Sequence, residues 1–317
     1  MYSRIYNKTG ISEFLLSGFS NFSPIGFYLF AVILTVYIIT ITANVFIIVI
    51  VKTERRLHQP MYFFIGGLSF LEIWYPSVTV PRLLWALLTK EISISAAGCM
   101  TQFYFHFSFG VTENFLLAIM AFDRYVAICK PLRYTLIMSP NTCIQLLLGS
   151  WVCGFMAVSV PCIQVSNLLY CSKNTIDHYY CDFAPLIKLS CSDTLSVQKV
   201  FFLFACFIIF SSFLLISLSY ICIILTTMTF STSLGRHKAF STCSSHLIVV
   251  LLFYGTTMFM FIRPTTGEFM HINKMVSIIP SIVTPLLNPI IYTLRNQVVK
   301  EVGKKVFQKL IYCGDQY

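Results

Sequence analysis

The sequence predicts an all-α membrane protein: a seven-transmembrane helix bundle with its N-terminus outside, its C-terminus cytoplasmic, and a short amphipathic eighth helix. Three observations predict it. Of 317 residues, 57% are hydrophobic and only 11% charged, with a mean hydropathy of +0.78. A soluble domain carries about 25% charged residues. Seven apolar runs, each long enough to cross about 30 Å of hydrocarbon, are separated by short polar or basic breaks. Finally, Lys52, Arg55, Arg56, Arg124, Lys130, Arg133, Arg236, Lys238, Arg295, Lys300, Lys304, Lys305 and Lys309 fall at one set of breaks and in the tail. That bias puts those segments in the cytoplasm. The net charge of +10 is scattered through short loops rather than gathered into a stripe, which argues against a nucleic-acid partner.

Residues 1–23 read as an extracellular N-terminal segment, 24–294 as the seven-helix domain, and 295–317 as a cytoplasmic helix and tail. Asn7-Lys8-Thr9 is a glycosylation acceptor. The first span, Pro24–Val51, opens at a proline suited to a helix's first turn. It lacks a small-residue cleavage site, so it is expected to act as its own insertion signal. The second, Pro60–Leu88, contains Glu72 and kink points at Pro76 and Pro81. The third runs about Ala96–Ile128 and the fourth about Cys143–Pro161. A long segment with Cys171, Cys181 and Cys191 leads to the fifth, about Gln198–Met228. The sixth is about Ala239–Ile262, and the seventh about Lys274–Leu294 with Pro280, Pro285 and Pro289. Beyond it, Val298, Val302, Val306, Phe307 and Leu310 alternate with Lys300, Lys304, Lys305 and Lys309. That is the pattern of a helix lying on membrane lipids.

The third span carries a stripe at spacings of three and four: His106, Gly110, Glu113, Leu117, Ala121, Arg124. Five turns separate His106 from Arg124, so both lie on one face about 27 Å apart. One helix therefore links the two sides of the membrane. Glu72 and Glu113 alone sit well inside apolar runs, where a carboxylate must face the bundle interior and find a partner. With Asn44 and Asn288 they could hold a hard cation, sodium being the candidate. The alternative is a protonated or water-bridged packing network.

Other classes lack their signatures. There is no Gly-x-Ser-x-Gly elbow, no His-Glu-x-x-His and no glycine-rich phosphate loop, so the chain does not read as an enzyme. A transporter would show inverted repeats or short glycine-broken spans, and neither occurs. The motifs that are present are specific: Leu57-His58-Gln59-Pro60-Met61-Tyr62-Phe63-Phe64 with Leu68-Ser69-Phe70-Leu71-Glu72; Met120-Ala121-Phe122-Asp123-Arg124-Tyr125-Val126-Ala127-Ile128-Cys129; Ser219-Tyr220; Lys238-Ala239-Phe240-Ser241-Thr242-Cys243-Ser244-Ser245-His246; and Pro285-Leu286-Leu287-Asn288-Pro289-Ile290-Ile291-Tyr292. In this order, along the whole chain, they resemble the vertebrate odorant receptors among the rhodopsin-like G-protein-coupled receptors. The chain departs from the usual pattern at Ala43, before Asn44, where the family often has Gly, and at Glu72, where it usually has Asp.

The resemblance implies a mechanism and its residues. Four loop and helix-end cysteines allow three pairings, of which the family's are Cys99–Cys181 and Cys171–Cys191. The remaining cysteines are expected to be free. A ligand site between helices near the outer half would be lined by His106, Phe107, Gly110, Val111 and Asn114 on the third span. Phe207, Tyr254, Thr257, Phe261, Ile278 and Ser281 would supply the other walls, with Gly110 making room for the ligand. Mostly apolar with a few hydroxyls, and with no obvious Asp to pair an amine and no deep arginine to hold a carboxylate, such a pocket suits a small, neutral, volatile odorant. Asp123, Arg124, Tyr125, Tyr220, Lys238, His246 and Tyr292 would form the switch that engages a stimulatory olfactory-type heterotrimeric G protein and raises cyclic AMP, with Tyr254 as pivot. The implied location is the plasma membrane, in olfactory sensory cilia. No cofactor is expected beyond sodium in the inactive state. The runner-up is a rhodopsin-like receptor for a different small ligand, with a membrane transporter further behind.

Overall fold

A computed structural model describes residues 11–19, 26–171, 174–230, 233–262, 268–295 and 299–304. Among these residues, seven helical segments are long and apolar enough to cross a membrane. Six are single helices: α1 (Gly26–Thr53), α2 (Pro60–Thr89), α3 (Ala96–Cys129), α4 (Pro140–Ser166), α5 (Leu195–Met228) and α6 (Ser233–Ile262). The seventh is composite: α7 (Glu268–Val276), a π-helical turn at Ile279–Val283, and α8 (Thr284–Arg295).

The helices begin where backbone donors can be satisfied. Ser95 Oγ accepts from Gly98 N–H at 3.1 Å and Ser139 Oγ from Thr142 N–H at 3.3 Å, capping α3 and α4. Pro60 and Pro140 occupy first-turn positions that need no N–H. The Ser139-Pro140 start therefore lies N-terminal to the expected Cys143, and Pro161 stays inside α4 rather than ending it. The seventh span also departs from expectation. It begins at Glu268, before Lys274, and Pro280, which lacks an N–H, sits in the π-turn that divides it.

The fold is helical but not purely so. Glu13–Leu16 (β1), Ser93–Ser95 (β2) and Thr175–Ile176 (β3) form a small sheet in the order β2-β1-β3, antiparallel on one side and parallel on the other. Phe14 and Leu16 point inward from β1 while Glu13 faces out. The sheet sits at one end of the bundle with both disulfides, Cys99–Cys181 and Cys171–Cys191, as the family resemblance implied. We call this the disulfide end and the other the Asp123 end. At the latter, Val299 and Val302 of a helical stretch are buried, and Glu301 lies 3.5 Å from Arg56. The rest of the expected surface helix, beyond Lys304, lies outside the described residues, as does Asn7.

Helix α3 is the most deeply buried of the spans and touches α2, α4, α5 and α6. Its approach to α4 depends on Gly154. A Cβ there would meet the Ser108 carbonyl at 3.0 Å and the Thr112 nitrogen at 3.1 Å, besides crowding the Thr112 hydroxyl. Gly149, by contrast, faces open space. Overpacking costs about 1–3 kcal/mol, so Gly154→Leu should markedly lower thermal stability in detergent and surface level, while Gly149→Leu should leave both close to wild type.

Candidate functional site

The side chains with chemistry lie in three levels along α3. At the disulfide end, His106 is buried between two rings, Tyr75 at 5.0 Å and Tyr180 at 4.2 Å between centroids. Its Nδ1 has no partner among the described residues. Tyr180 precedes Cys181, and the disulfide to Cys99 places that loop across α3. Gln102 adds a second tether: its Nε2 donates to the Val78 carbonyl at 3.0 Å, and its Oε1 accepts from Cys181 N–H at 3.0 Å. The same loop is held to the seventh span. Lys274 Nζ, almost fully buried, donates to Asp177 Oδ1 at 2.6 Å and to the Gly18 carbonyl at 3.0 Å. The Ser277 hydroxyl lies 3.2 Å from that of Tyr179.

At the middle level a hydroxyl joins three helices. Tyr254 Oη on α6 donates to Asn114 Oδ1 on α3 at 2.9 Å and lies 2.8 Å from Ser212 Oγ on α5. Beside this junction sits the acidic cluster. Asn288 Nδ2 donates to Glu72 Oε1, and Asn44 Nδ2 donates to the Thr40 and Pro285 carbonyls at 2.9 and 3.1 Å. Glu72 Oε2, both Glu113 carboxyl oxygens, Asn44 Oδ1, Asn288 Oδ1 and Thr284 Oγ1 are buried without a hydrogen-bond partner among the described residues. Unpartnered buried oxygens on this scale ask for a proton, water or a cation.

Toward the Asp123 end, His246 on α6 lies 3.0 Å from the Leu117 carbonyl through Nε2 and 2.7 Å from Tyr220 Oη through Nδ1. A carbonyl can only accept, so Nε2 carries the proton and Tyr220 donates to Nδ1. One imidazole thus ties α3, α5 and α6 together. Seven residues beyond Leu117, Arg124 donates to Asp123 Oδ2 through Nε (3.1 Å) and Nη2 (2.6 Å), and Tyr134 Oη donates to Asp123 Oδ1 at 2.8 Å. Tyr125 is half-buried with the Lys130 ammonium 5.5 Å from its ring, and Tyr292 is buried.

Several expected ligand residues are placed differently. Phe207 is 73% exposed and faces away from the bundle. Phe201, rather than Phe207, is the phenylalanine of α5 that packs toward α3, on Phe107 at 5.5 Å, and it stacks on Phe183 at 3.7 Å. Phe201 lies six residues earlier, which on a helix is a large change of face. Gly110 does not leave free space, because Tyr75 Oη lies 3.4 Å from where its Cβ would be. Val111 and Ile278 pack in the disulfide-end clusters, Thr257 is half-buried and Ser281 is buried. The side chains of Phe261 and Lys238 lie outside the described residues. The sequence reading missed Tyr75, Gln102, Tyr180, Ser212 and Lys274. Of these, Tyr180 carried a usable signal, since a residue beside a cysteine bridged to the start of α3 must lie over α3.

The loop also carries a pH-sensitive group. Burial holds His178 well below the usual histidine pKa, with His106 and the Lys274 ammonium pushing the same way. The folded protein cannot take up the proton that the unfolded chain binds below about pH 6.5, so stability falls as pH falls through that value, by at most about 1.4 kcal/mol per unit. Asp182, pushed up to about 6 mainly by burial, has the opposite sign: its contribution is present at low pH and lost as pH rises. His178→Phe should therefore lose less thermal stability than wild type between pH 7.5 and 5.5. Asp182 is present in both proteins and drops out of the difference.

A family model described as "Olfactory receptor" matches residues 33–310. Olfactory receptor 6F1 of Homo sapiens is 48% identical over 295 residues, covering 93% of this chain and 96% of the relative. Olfactory receptor 287 of Rattus norvegicus is 47% identical over 299 residues, covering 94% and 96%. Olfactory receptor 2AP1 of Homo sapiens is 45% identical over 305 residues, covering 96% and 99%. The match runs from the first span into the tail and includes every level of α3 described above, and the chain accordingly belongs to the olfactory receptor family, seven-helix membrane receptors rather than enzymes.

Proposed function

We propose that this olfactory receptor binds a small, neutral, largely apolar odorant at the disulfide-end level of α3 and activates a stimulatory, olfactory-type heterotrimeric G protein at the Asp123 end, raising cyclic AMP. The observation that carries this reading is the pair of polar junctions on α3, Tyr254 with Asn114 and Ser212 above, His246 with Leu117 and Tyr220 below. Both pin α6, and they lie between His106 and Arg124. An odorant that binds more tightly once α6 has shifted would draw the receptor toward that state, and only such a difference in affinity can drive the change. Displacing α6 breaks the His246 contact and uncovers the surface around Arg124, which Asp123 holds until then. In this reading the disulfide end is extracellular and the Asp123 end cytoplasmic, in accord with the basic bias of the sequence. The receptor resides in the plasma membrane, in sensory cilia where it serves olfaction, with Asn7 glycosylated and the basic tail resting on membrane lipids.

The pocket chemistry follows from its lining. Phe107, Val111 and Phe201 offer apolar surface, and the unpartnered His106 nitrogen offers one hydrogen bond. One methylene in such a pocket is worth about 1–3 kcal/mol, so tuning among similar compounds is graded. In cells expressing this chain with the olfactory-type stimulatory Gα, a broad odorant panel should yield concentration-dependent cyclic AMP for at least one neutral apolar compound. Gly110→Leu must push Tyr75 off His106 and should abolish that response at an unchanged surface level. Silence across the panel despite surface expression, or an intact response in the variant, would count against the ligand assignment.

The acidic cluster fits sodium in the inactive state. Its unpartnered groups are all oxygens, the donor type a hard cation takes. Sodium chloride should therefore raise the unfolding temperature of purified receptor above that in choline chloride at equal ionic strength. Glu113→Gln should erase the difference; equal stability of wild type in the two salts would contradict sodium binding.

A further inference from the structure

The last turns of α2, the Gly18–Phe19 turn, Gly26 and Tyr179 line a partly open recess of about 240 Å³. None of the residues assigned above to odorant recognition lines it. One face of α2 contributes Arg82, Leu83, Ala86, Leu87 and Lys90. Across from them Phe19 stacks on Tyr179, ring centroids 5.7 Å apart. No carboxylate lines the cavity among the described residues. Glu91 follows Lys90, but its Oε2 accepts from Trp85 Nε1 at 3.0 Å, and Asp177 in the neighbouring loop is taken by Lys274. Arg82 gives one N–H to the Ser93 carbonyl. Its other donors and the Lys90 ammonium have no hydrogen-bond partner among the described residues.

Two cations at the rim of a mostly apolar recess select an amphiphilic anion: the headgroup gains charge-assisted hydrogen bonds and the tail leaves water. The cavity has the volume of about eight waters, room for a carboxylate with a tail of roughly five carbons. We propose that it is a second ligand site, for a short-chain carboxylate whose headgroup sits on Arg82 and Lys90 and whose tail lies against Leu83, Leu87 and Phe19. Its occupant braces the Gly18–Phe19 turn, which Lys274 grips through the Gly18 carbonyl. Binding there stiffens the cover of the disulfide end without entering the odorant region.

The test uses purified full-length receptor in phosphatidylcholine nanodiscs, titrated with hexanoate and followed by thermal unfolding, with hexanol as the neutral control. The expected result is a saturable rise in unfolding temperature, half-maximal in the roughly millimolar range for a ligand this small, and absent with hexanol. Lys90→Gln should weaken it about tenfold. Ala86→Trp, which fills the cavity, should abolish it. Arg82 is left intact because it also holds the Ser93 carbonyl. No rise, an equal rise with hexanol, or a rise unchanged in both variants overturns the proposal. So does displacement of hexanoate by an activating odorant, which would place it in the odorant region. Loss of hexanoate binding when phosphatidylserine is added would assign the cavity to a lipid headgroup and overturns it equally. Apart from the displacement by an activating odorant, these outcomes fail or succeed independently of odorant responses measured in cells.

Discussion

A polar side chain inside a membrane-spanning bundle has no bulk water to turn to, so it must find its partner on a neighbouring helix. That constraint organises this protein. Asn114, Tyr254 and Ser212 satisfy one another, as do His246, Tyr220 and the Leu117 carbonyl, and each set spans α3, α5 and α6. Dispersion among apolar side chains could hold these helices in many registers, but hydrogen bonds with fixed geometry select one. In the proposed activation a shift of α6 relative to α3 exchanges these partners together, so that the bundle moves between two discrete arrangements.

The same constraint explains the contrast between the ends. At the disulfide end the cover is over-determined: two disulfides, Gln102, Lys274 and a three-stranded sheet all fasten one loop over α3. At the Asp123 end, among the described residues, Asp123 is shared between Arg124 and Tyr134. A firmly fastened recognition end suits the proposed direction of signalling. The acidic cluster between them is where buried oxygens outnumber partners, so it is the level most open to change by a bound ion or proton.

Much of this was legible in the sequence, for physical reasons that differ by element. The spans were plain because about twenty apolar residues in a row have few other uses. The face of α3 was readable because polar residues break its apolar pattern, so the helical period shows. Helix α5 is apolar on every face, which is why Phe207 was assigned inward and Phe201 overlooked. The sheet escaped notice because a four-residue strand gives too short an alternation to recognise. Gly110 signals a lack of bulk, but nothing local says that Tyr75, on another helix, fills the gap. Lys274 looks like an ordinary span-end lysine. Only the third dimension reveals that Asp177 and the Gly18 carbonyl converge on it.

The account stands most directly on the His246 junction. Receptor labelled with ¹⁵N-histidine, reconstituted with an activating odorant and G protein, would report it by nuclear magnetic resonance, with the His246→Asn variant assigning the signal. Without odorant, His246 should show the neutral tautomer protonated at Nε2, in the environment set by the Leu117 carbonyl. Odorant and G protein together should shift that signal as the contact breaks. A His246 signal unchanged while the same sample drives nucleotide exchange would contradict the proposal that signalling passes through α6 at this point.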